Sequence, residues 1–325
     1  MRAIWPLGWV LGGVAASLAA TAGLAQQWPT RSIEVVSPFV AGTTNDLMAD
    51  VVLDHVGKYF GQPFVIKNRP GGDGTAGVAA VVHAAPDGYT LLLSSSSMTA
   101  AAILHKSLPY DALRDLEPVA MLGGQPSVLV AAPDKGFKSV ADLVAAAKAK
   151  PGTLKFASVG VGSASYFAGE RFRLAADIDV QHVAYRGPVE ALSDLMAGRV
   201  DFYFVPIPPA KPLLAQGKIV ALAVTTPFRL TDLPDVPALA PAGYTIQPYL
   251  FWCGLSAPAN TPRDIIDRLN AAIGNVLRDP AVQIRFRGMG VSPIPMPPEQ
   301  YGKFFADDMA AMIKLGQDAH IAPVE

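Results

Sequence analysis

The sequence predicts an α/β fold of two similar lobes that face each other across a cleft, and three observations carry that prediction. Strand and helix signals alternate along the chain, the pattern of a largely parallel sheet covered by helices. A strand that runs into a loop of small residues and then opens a helix occurs twice, once in each half. The 325 residues suffice for one large domain or two of medium size.

Residues 1–25 stand apart from the fold. Met1-Arg2 is a short positive start, Ala3 to Ala20 is apolar and uncharged, and Gly23 and Ala25 are small residues suited to cleavage after Ala25. This is the signature of a secretory signal peptide, the alternative being an uncleaved membrane anchor. The first strand is 33–36. The loop Pro38-Phe39-Val40-Ala41-Gly42-Thr43-Thr44-Asn45-Asp46 leads from it into an amphipathic helix, 47–60, that buries Met48, Val51, Val52, Val56 and Tyr59. Thr43 is its expected N-cap, with Asp46 three residues on as the acid of a capping box. Segments 64–67 and 89–94 are strands, and 76–84 is a helix stopped by Pro86-Asp87-Gly88. Ser94-Ser95-Ser96-Ser97 then reads as a serine loop at a strand's carboxyl end.

In the second half 128–132 is a strand, and Ser139 opens a helix to Lys148 with Asp142 at its third position. A short strand, 155–158, enters the loop Ser158-Val159-Gly160-Val161-Gly162-Ser163-Ala164-Ser165, followed by a helix over 168–175. A helix over 188–197 turns Leu192, Leu195 and Met196 inward and ends before Gly198. Strands follow at 201–205 and 219–225. Thr261-Pro262-Arg263-Asp264 supplies a cap, a first-turn proline and an acid ahead of a helix to Arg278. The last helix is 298–315. No internal repeat and no low-complexity tract outside the leader breaks this plan.

The composition excludes several functions. A net charge of −1 argues against nucleic acid, which calls for a basic face. Cys253 is the only cysteine, so no intrachain disulfide can form, and beside Gly254 in an apolar stretch it reads as a buried thiol. The five histidines, at 55, 83, 105, 182 and 320, lack metal-ligand spacing, and no G-x-S-x-G elbow is present. Gly72-Asp73-Gly74-Thr75-Ala76-Gly77 matches G-x-G-x-x-G, but serines stand where a ribose-binding acid belongs. A tight turn at the cleft rim explains it better than a nucleotide. What remains is anion chemistry: a strand that ends in a small-residue loop and opens a helix presents free backbone N–H groups, an anion seat without a cationic side chain. One such loop in each half suggests closure on a small carboxylate.

Motifs spread along the whole chain strengthen this. They are Pro38-Phe39, Gly42 and Asp46-Leu47; Asn68-Arg69-Pro70-Gly71-Gly72-Asp73-Gly74; Ala85-Pro86-Asp87-Gly88-Tyr89-Thr90-Leu91; and Leu108-Pro109-Tyr110-Asp111. Further on come Ala157-Ser158-Val159-Gly160-Val161-Gly162-Ser163, His182-Val183-Ala184-Tyr185-Arg186-Gly187, and Trp252-Cys253-Gly254-Leu255 with Ala257-Pro258. With these motifs in order, the chain resembles the substrate-binding proteins of tripartite tricarboxylate transporters, also called Bug receptors. The resemblance implies a type II periplasmic-binding-protein fold with crossovers near Gln125 and Tyr249. Lobe 1 is then 26–124 plus 251–325, and lobe 2 is 125–250. It further implies a periplasmic receptor, a monomer without cofactor or metal, that passes its carboxylate to permease subunits. An extracytoplasmic sensor docking on a histidine kinase is the alternative. Two departures fall at the ligand loops: Val40-Ala41-Gly42-Thr43 replaces a usual Pro-Pro-Gly-Gly run, and Tyr166 stands where a histidine is usual.

The candidate ligand-binding residues are accordingly Phe39, Ala41, Gly42, Thr43, Thr44 and Asn45 in the first loop. Ser95, Ser96 and Ser97 end the strand between the loops. Val161, Gly162, Ser163, Ala164 and Ser165 form the second loop, with free N–H groups expected at Gly162, Ser163 and Ala164, and Pro206 ends a strand of lobe 2. Asp46 reads as structural, since its charge would repel an anion. Arg186 is a possible carboxylate clamp or a solvated turn residue. Tyr203, Phe204, Phe251 and Trp252 read equally well as core or as walls of an apolar slot. The candidate ligands are aliphatic dicarboxylates, citrate-like tricarboxylates, amino acids, and nicotinate-like or other aromatic acids.

Overall fold

The computed structural model describes residues 28–71, 74–226, 229–230, 232–239 and 250–323. The leader, Gly72-Asp73 of the glycine motif and Tyr249 at the second expected crossover lie outside the described residues.

Two sheets carry the fold. The first has six strands in the order β11-β4-β10-β3-β1-β2. Its members are β1 (Ile33–Ser37), β2 (Phe64–Asn68), β3 (Thr90–Ser95), β4 (Leu116–Gln125), β10 (Phe251–Pro258) and β11 (Ser292–Pro293). Strands β1, β2 and β3 are parallel, while β10 runs antiparallel to both β3 and β4. The second sheet has five strands in the order β7-β6-β8-β5-β9. These are β5 (Ser127–Ala131), β6 (Lys155–Ser158), β7 (Gln181–Ala184), β8 (Phe202–Pro206) and β9 (Val220–Val224). The chain leaves the first sheet at Gln125, enters the second at Ser127, and is back in the first from Phe251.

Helices pack on both faces of each sheet, as the βαβ pattern requires. On the first sheet α1 (Thr44–Phe60), α8 (Arg263–Arg278) and α9 (Pro280–Gly288) share one apolar core with β1, β3 and β4. The other face is covered by α2 (Thr75–Val82) and α10 (Pro298–Asp318) around Trp252 and Tyr301. On the second sheet α4 (Val140–Ala149) and α5 (Ala164–Ala175) cover one face. The opposite face belongs to α6 (Pro188–Met196) and α7 (Ile207–Ala215). The core under α4 and α5 also takes Ala100 of α3 (Ser96–Leu104) and Met312 and Leu315 of α10. These two helices therefore tie the sheets together through packing.

Several details differ from the sequence reading. Tyr59 is 69% exposed, not buried, because the stripe of α1 that faces the core is carried by Met48, Val52 and Val56. Thr261 does not cap α8; its hydroxyl donates to the Pro258 carbonyl at 2.7 Å, and Pro262 takes the cap position without a side-chain bond. The serine run is not a loop: Ser94 and Ser95 end β3, and Ser96 begins α3. Helices α3, α7 and α9 and strands β4, β7, β10 and β11 were not expected. Prolines at 208, 209 and 212 mask α7. Pro118, Gly123 and Gly124 mask β4, whose pairing with β10 contains two register shifts. Gly198 takes the left-handed conformation expected past α6, with φ +67°.

Candidate functional site

The carboxyl end of β3 and the crossover from β4 to β5 lie at the mouth of one cavity of about 340 Å³. Helix α3 contributes Ser96 and Ser97 from its first turn and Ala100 from its second, and Gln125 and Ser127 flank the crossover. The second small-residue loop contributes Val159, Gly162, Ser163, Ala164 and Ser165. The far walls are Pro188, Tyr203, Phe204, Pro206 and Phe251.

The amino ends of α3 and α5 thus face the same space. Each helix carries roughly half a positive charge there, with backbone N–H groups that have no intrahelical acceptor. Ser95 caps α3, its hydroxyl accepting from the Ser97 amide at 3.2 Å. Ser163 caps α5, accepting from the Tyr166 amide at 3.2 Å and donating to the Gly160 carbonyl at 2.6 Å. Ser158 and Ser165 stiffen the loop from below, accepting from the amides of Gly160 and Val159 at 3.0 and 3.1 Å. After these bonds are made, the Gly162 and Ala164 amides have no acceptor among the described residues. The Ser163 amide, expected to be free, is bonded to the Gly160 carbonyl at 3.2 Å.

Among the described residues no Lys, Arg, His, Asp or Glu lines this cavity, and Tyr203 is the only titratable side chain in it. Burial pushes the Tyr203 phenol up to about 12, and its side-chain bond with Ser165 works the other way. The phenol is therefore a neutral donor at physiological pH. Such a site stabilises an anion through helix ends, amides and hydroxyls, in surroundings that are otherwise apolar.

The first loop, before α1, is organised differently. Thr43 caps the helix, accepting from the Asp46 amide at 3.4 Å. The Asp46 carboxylate is buried and accepts from the Ser37 hydroxyl at 2.6 Å, the Gly42 amide at 3.0 Å and the Asn68 side-chain amide at 2.8 Å. The Gly42 amide is thereby occupied, while those of Ala41, Thr43, Thr44 and Asn45 have no acceptor among the described residues. Asn45 is 1% exposed, with its side-chain oxygen unpartnered.

Of the candidate residues, Ser96, Ser97, Gly162, Ser163, Ala164, Ser165 and Pro206 are brought together in the cavity wall. Phe39, Ala41, Gly42, Thr43, Thr44, Asn45, Ser95 and Val161 are not in it. The first loop does lie at the same end of its sheet, because β1 and β3 are parallel neighbours. Gln125, Ser127, Ala100, Val159 and Pro188 were missed. For the first two a signal existed, since the crossover was expected there.

Other readings are settled by placement. Trp252 is fully buried and donates to the Asp308 carboxylate at 2.8 Å, so it is core, whereas Phe251 lines the cavity. Arg186 is exposed on its turn and outside the cavity wall. Tyr166 packs its ring on that of His182 at 4.9 Å. Gly77 of the glycine motif lies against Pro38, where an added Cβ would come within 2.9 Å of backbone, so this motif serves close packing. Burial raises the Cys253 thiol far above its ordinary value, which keeps it unreactive. Another cavity, of about 260 Å³, lies between α8 and residues 295–297 and shares no wall residue with this one. Among the described residues no helix is long and apolar enough to cross a membrane, and no acid, histidine and cysteine cluster suits a metal.

Comparison with known proteins agrees with this arrangement. The sequence profile of the tripartite tricarboxylate transporter family receptor matches residues 48–319. Protein BugT of Bordetella pertussis is 36% identical over 297 residues, covering 89% of this chain and 91% of its own. A structure of an R. palustris protein with adipate superposes with a TM-score of 0.72 at 31% identity, over 91% of this chain and all of that one. MatC from Rhodopseudomonas palustris, solved with bound malate, gives a TM-score of 0.67 at 30% identity, over 88% of this chain and 99% of its own.

Proposed function

The chain belongs to the tripartite tricarboxylate transporter receptor family, whose members are solute-binding receptors and not enzymes, and from this premise we propose that it captures a small carboxylate between two lobes and delivers it to membrane permease subunits. The lobes are 26–124 with 251–325, and 125–250, and the chain acts in the periplasm after its leader is removed at Ala25. The observation that carries the ligand class is the convergence of the α3 and α5 amino ends on a cavity that, among the described residues, has no cationic side chain. Relatives solved with adipate and malate support the same class.

The mechanism is hinge closure about the crossovers. The Gly162 and Ala164 amides and the Ser96 and Ser97 hydroxyls replace water around the carboxylate. The first loop completes the seat when the lobes close, bringing the free amides of Ala41, Thr43, Thr44 and Asn45 to the mouth. Closure excludes water and strengthens each of these bonds. The acid, and not its neutral amide, is the ligand, because helix ends select charge.

Thermal-shift screening of the purified protein against mono-, di- and tricarboxylates tests this, each acid paired with its carboxamide. An acid present at 100 times its Kd stabilises by about 2.7 kcal/mol. The expected result is a shift with at least one acid and none with its amide. No shift with any acid, before or after unfolding and refolding to strip retained ligand, overturns the reading.

A further inference from the structure

Two buried charges, Asp308 and Arg171, lie behind the cavity wall. Asp308 stands on the buried stripe of α10, in line with Tyr301, Phe305, Met312 and Leu315. Tyr301 and Phe305 belong to the core on the first sheet, and Met312 and Leu315 to the core under α4 and α5. Asp308 thus sits where α10 passes from one core to the other. Arg171 stands likewise on the buried face of α5, beside Phe167, Ala168 and Phe172.

The two charges meet at a node shared by three elements of the site. One Asp308 carboxylate oxygen accepts from the Trp252 indole at 2.8 Å and from the Thr99 hydroxyl at 2.9 Å. The other lies 3.7 Å from the Arg171 guanidinium. Thr99 belongs to the amino end of α3, and its hydroxyl is also 2.9 Å from the carbonyl of Ser96, a cavity residue. Arg171 is two turns along α5 from Ala164, and Trp252 follows Phe251 on β10. A buried ion pair adds little stability over apolar side chains of the same size, because desolvation of both charges offsets their attraction. What it does fix is relative position, since separating the charges in a low dielectric is steeply unfavourable.

Resting on the carboxylate reading above and deepening it, we propose that Asp308 is a positioning residue for the ligand seat. It holds α3 and α5 against each other, so that both amino ends aim at the same carboxylate before the first loop closes over it.

Calorimetric titration with adipate, malate, citrate and benzoate, set beside urea denaturation, tests this. Asp308→Asn keeps an acceptor for Trp252 and Thr99 but breaks the pair with Arg171. It should lose stability and weaken every acid that the unaltered protein binds about tenfold, the size of one charge-assisted bond. Adding Arg171→Met removes the stranded charge, so stability should return while affinity stays about tenfold low. A role in folding alone would not give that split. Arg171→Lys keeps the cation and should bind within about threefold of the unaltered protein. Leu269→Ala, in the core shared by α1 and α8, should lower stability and leave affinity unchanged. Unaltered affinity in the Asp308→Asn/Arg171→Met protein overturns the inference and leaves the carboxylate reading intact, and this variant decides the matter even if Asp308→Asn alone does not fold. Weakened binding by Leu269→Ala, or binding by Arg171→Lys as weak as that of the double variant, overturns it as well. Failure of every acid in the wider screen to bind the unaltered protein overturns both readings.

Discussion

In the loop before α1, Thr43, Thr44, Asn45 and Asp46 hold the positions that Ser163, Ala164, Ser165 and Tyr166 hold before α5. Both loops follow a buried strand, and in both a hydroxyl caps the helix by accepting from the third amide. The third residue separates them. Asp46 puts a carboxylate into the head of its own helix and takes the Gly42 amide, the Ser37 hydroxyl and the Asn68 amide as donors. Tyr166 turns away onto His182, and the second loop is held by the neutral hydroxyls of Ser158, Ser163 and Ser165. The first loop thus carries a resident anion beside its free amides, and the second has free amides at Gly162 and Ala164 with no charged side chain of its own beside them. Two loops with one sequence plan differ in what they can bind according to which donors their own side chains consume.

The largest expected effect breaks this contrast at its centre. Asp46→Ala strands three donors of a buried cluster and should cost about 4 kcal/mol. Tyr166→Ala, at the matching position, removes a half-buried ring and should cost roughly 1.5 kcal/mol. Urea denaturation of both variants measures the difference. Equal losses would mean that the carboxylate does not organise its loop.

A smaller effect sharpens the contrast on the ligand side. Proline is accepted at the first helical position and lacks the N–H. Ser163 and Thr43 precede these positions in extended backbone, at ψ 156° and 161°, which a following proline tolerates. Ala164→Pro should weaken the best-binding acid about tenfold, or ~1.4 kcal/mol, the size of one charge-assisted bond. Thr44→Pro should weaken it less, because Asp46 already offsets the positive helix end beside it. The reverse order in a titration would make the first loop the main seat.

The smallest effect is one of pH. Burial holds the His182 imidazole below its ordinary 6.5, with the Glu170 carboxylate pulling the other way. Its ring nitrogen lies 2.6 Å from the Ser158 hydroxyl that supports the second loop. The unfolded chain therefore takes up this proton at a higher pH than the folded one. The contribution is fully present above about pH 6.5 and is lost as the pH falls through the folded value. Stability measured at pH 7 and pH 5 should fall more for the unaltered protein than for His182→Gln, and parallel losses would remove His182 from the support of the loop.

Much of this was legible along the chain because it depends on near neighbours. Caps at Thr43 and Ser139, the turn at Gly198 and the stripe of α1 each involve residues within a few positions of one another, so spacing reveals them. The elements that were missed are those whose local signals point the wrong way. The prolines of α7 and β4 and the serines of α3 read as breakers, and the strands and helices packed around them override that preference.

The sequence by itself determined the alternation of strands and helices, two capped helices behind small-residue loops, and a chain without the charge or cysteine patterns of other functions. Only the tertiary structure decided which amides of each loop are committed and which are left free. That outcome depends on competition among donors and acceptors far apart in sequence. Asn68 and Ser37 reach Asp46 across 22 and 9 positions, and His182 reaches Ser158 across 24. A backbone N–H is committed or left free by whichever acceptor the fold brings within about 3 Å, and no local pattern records that choice.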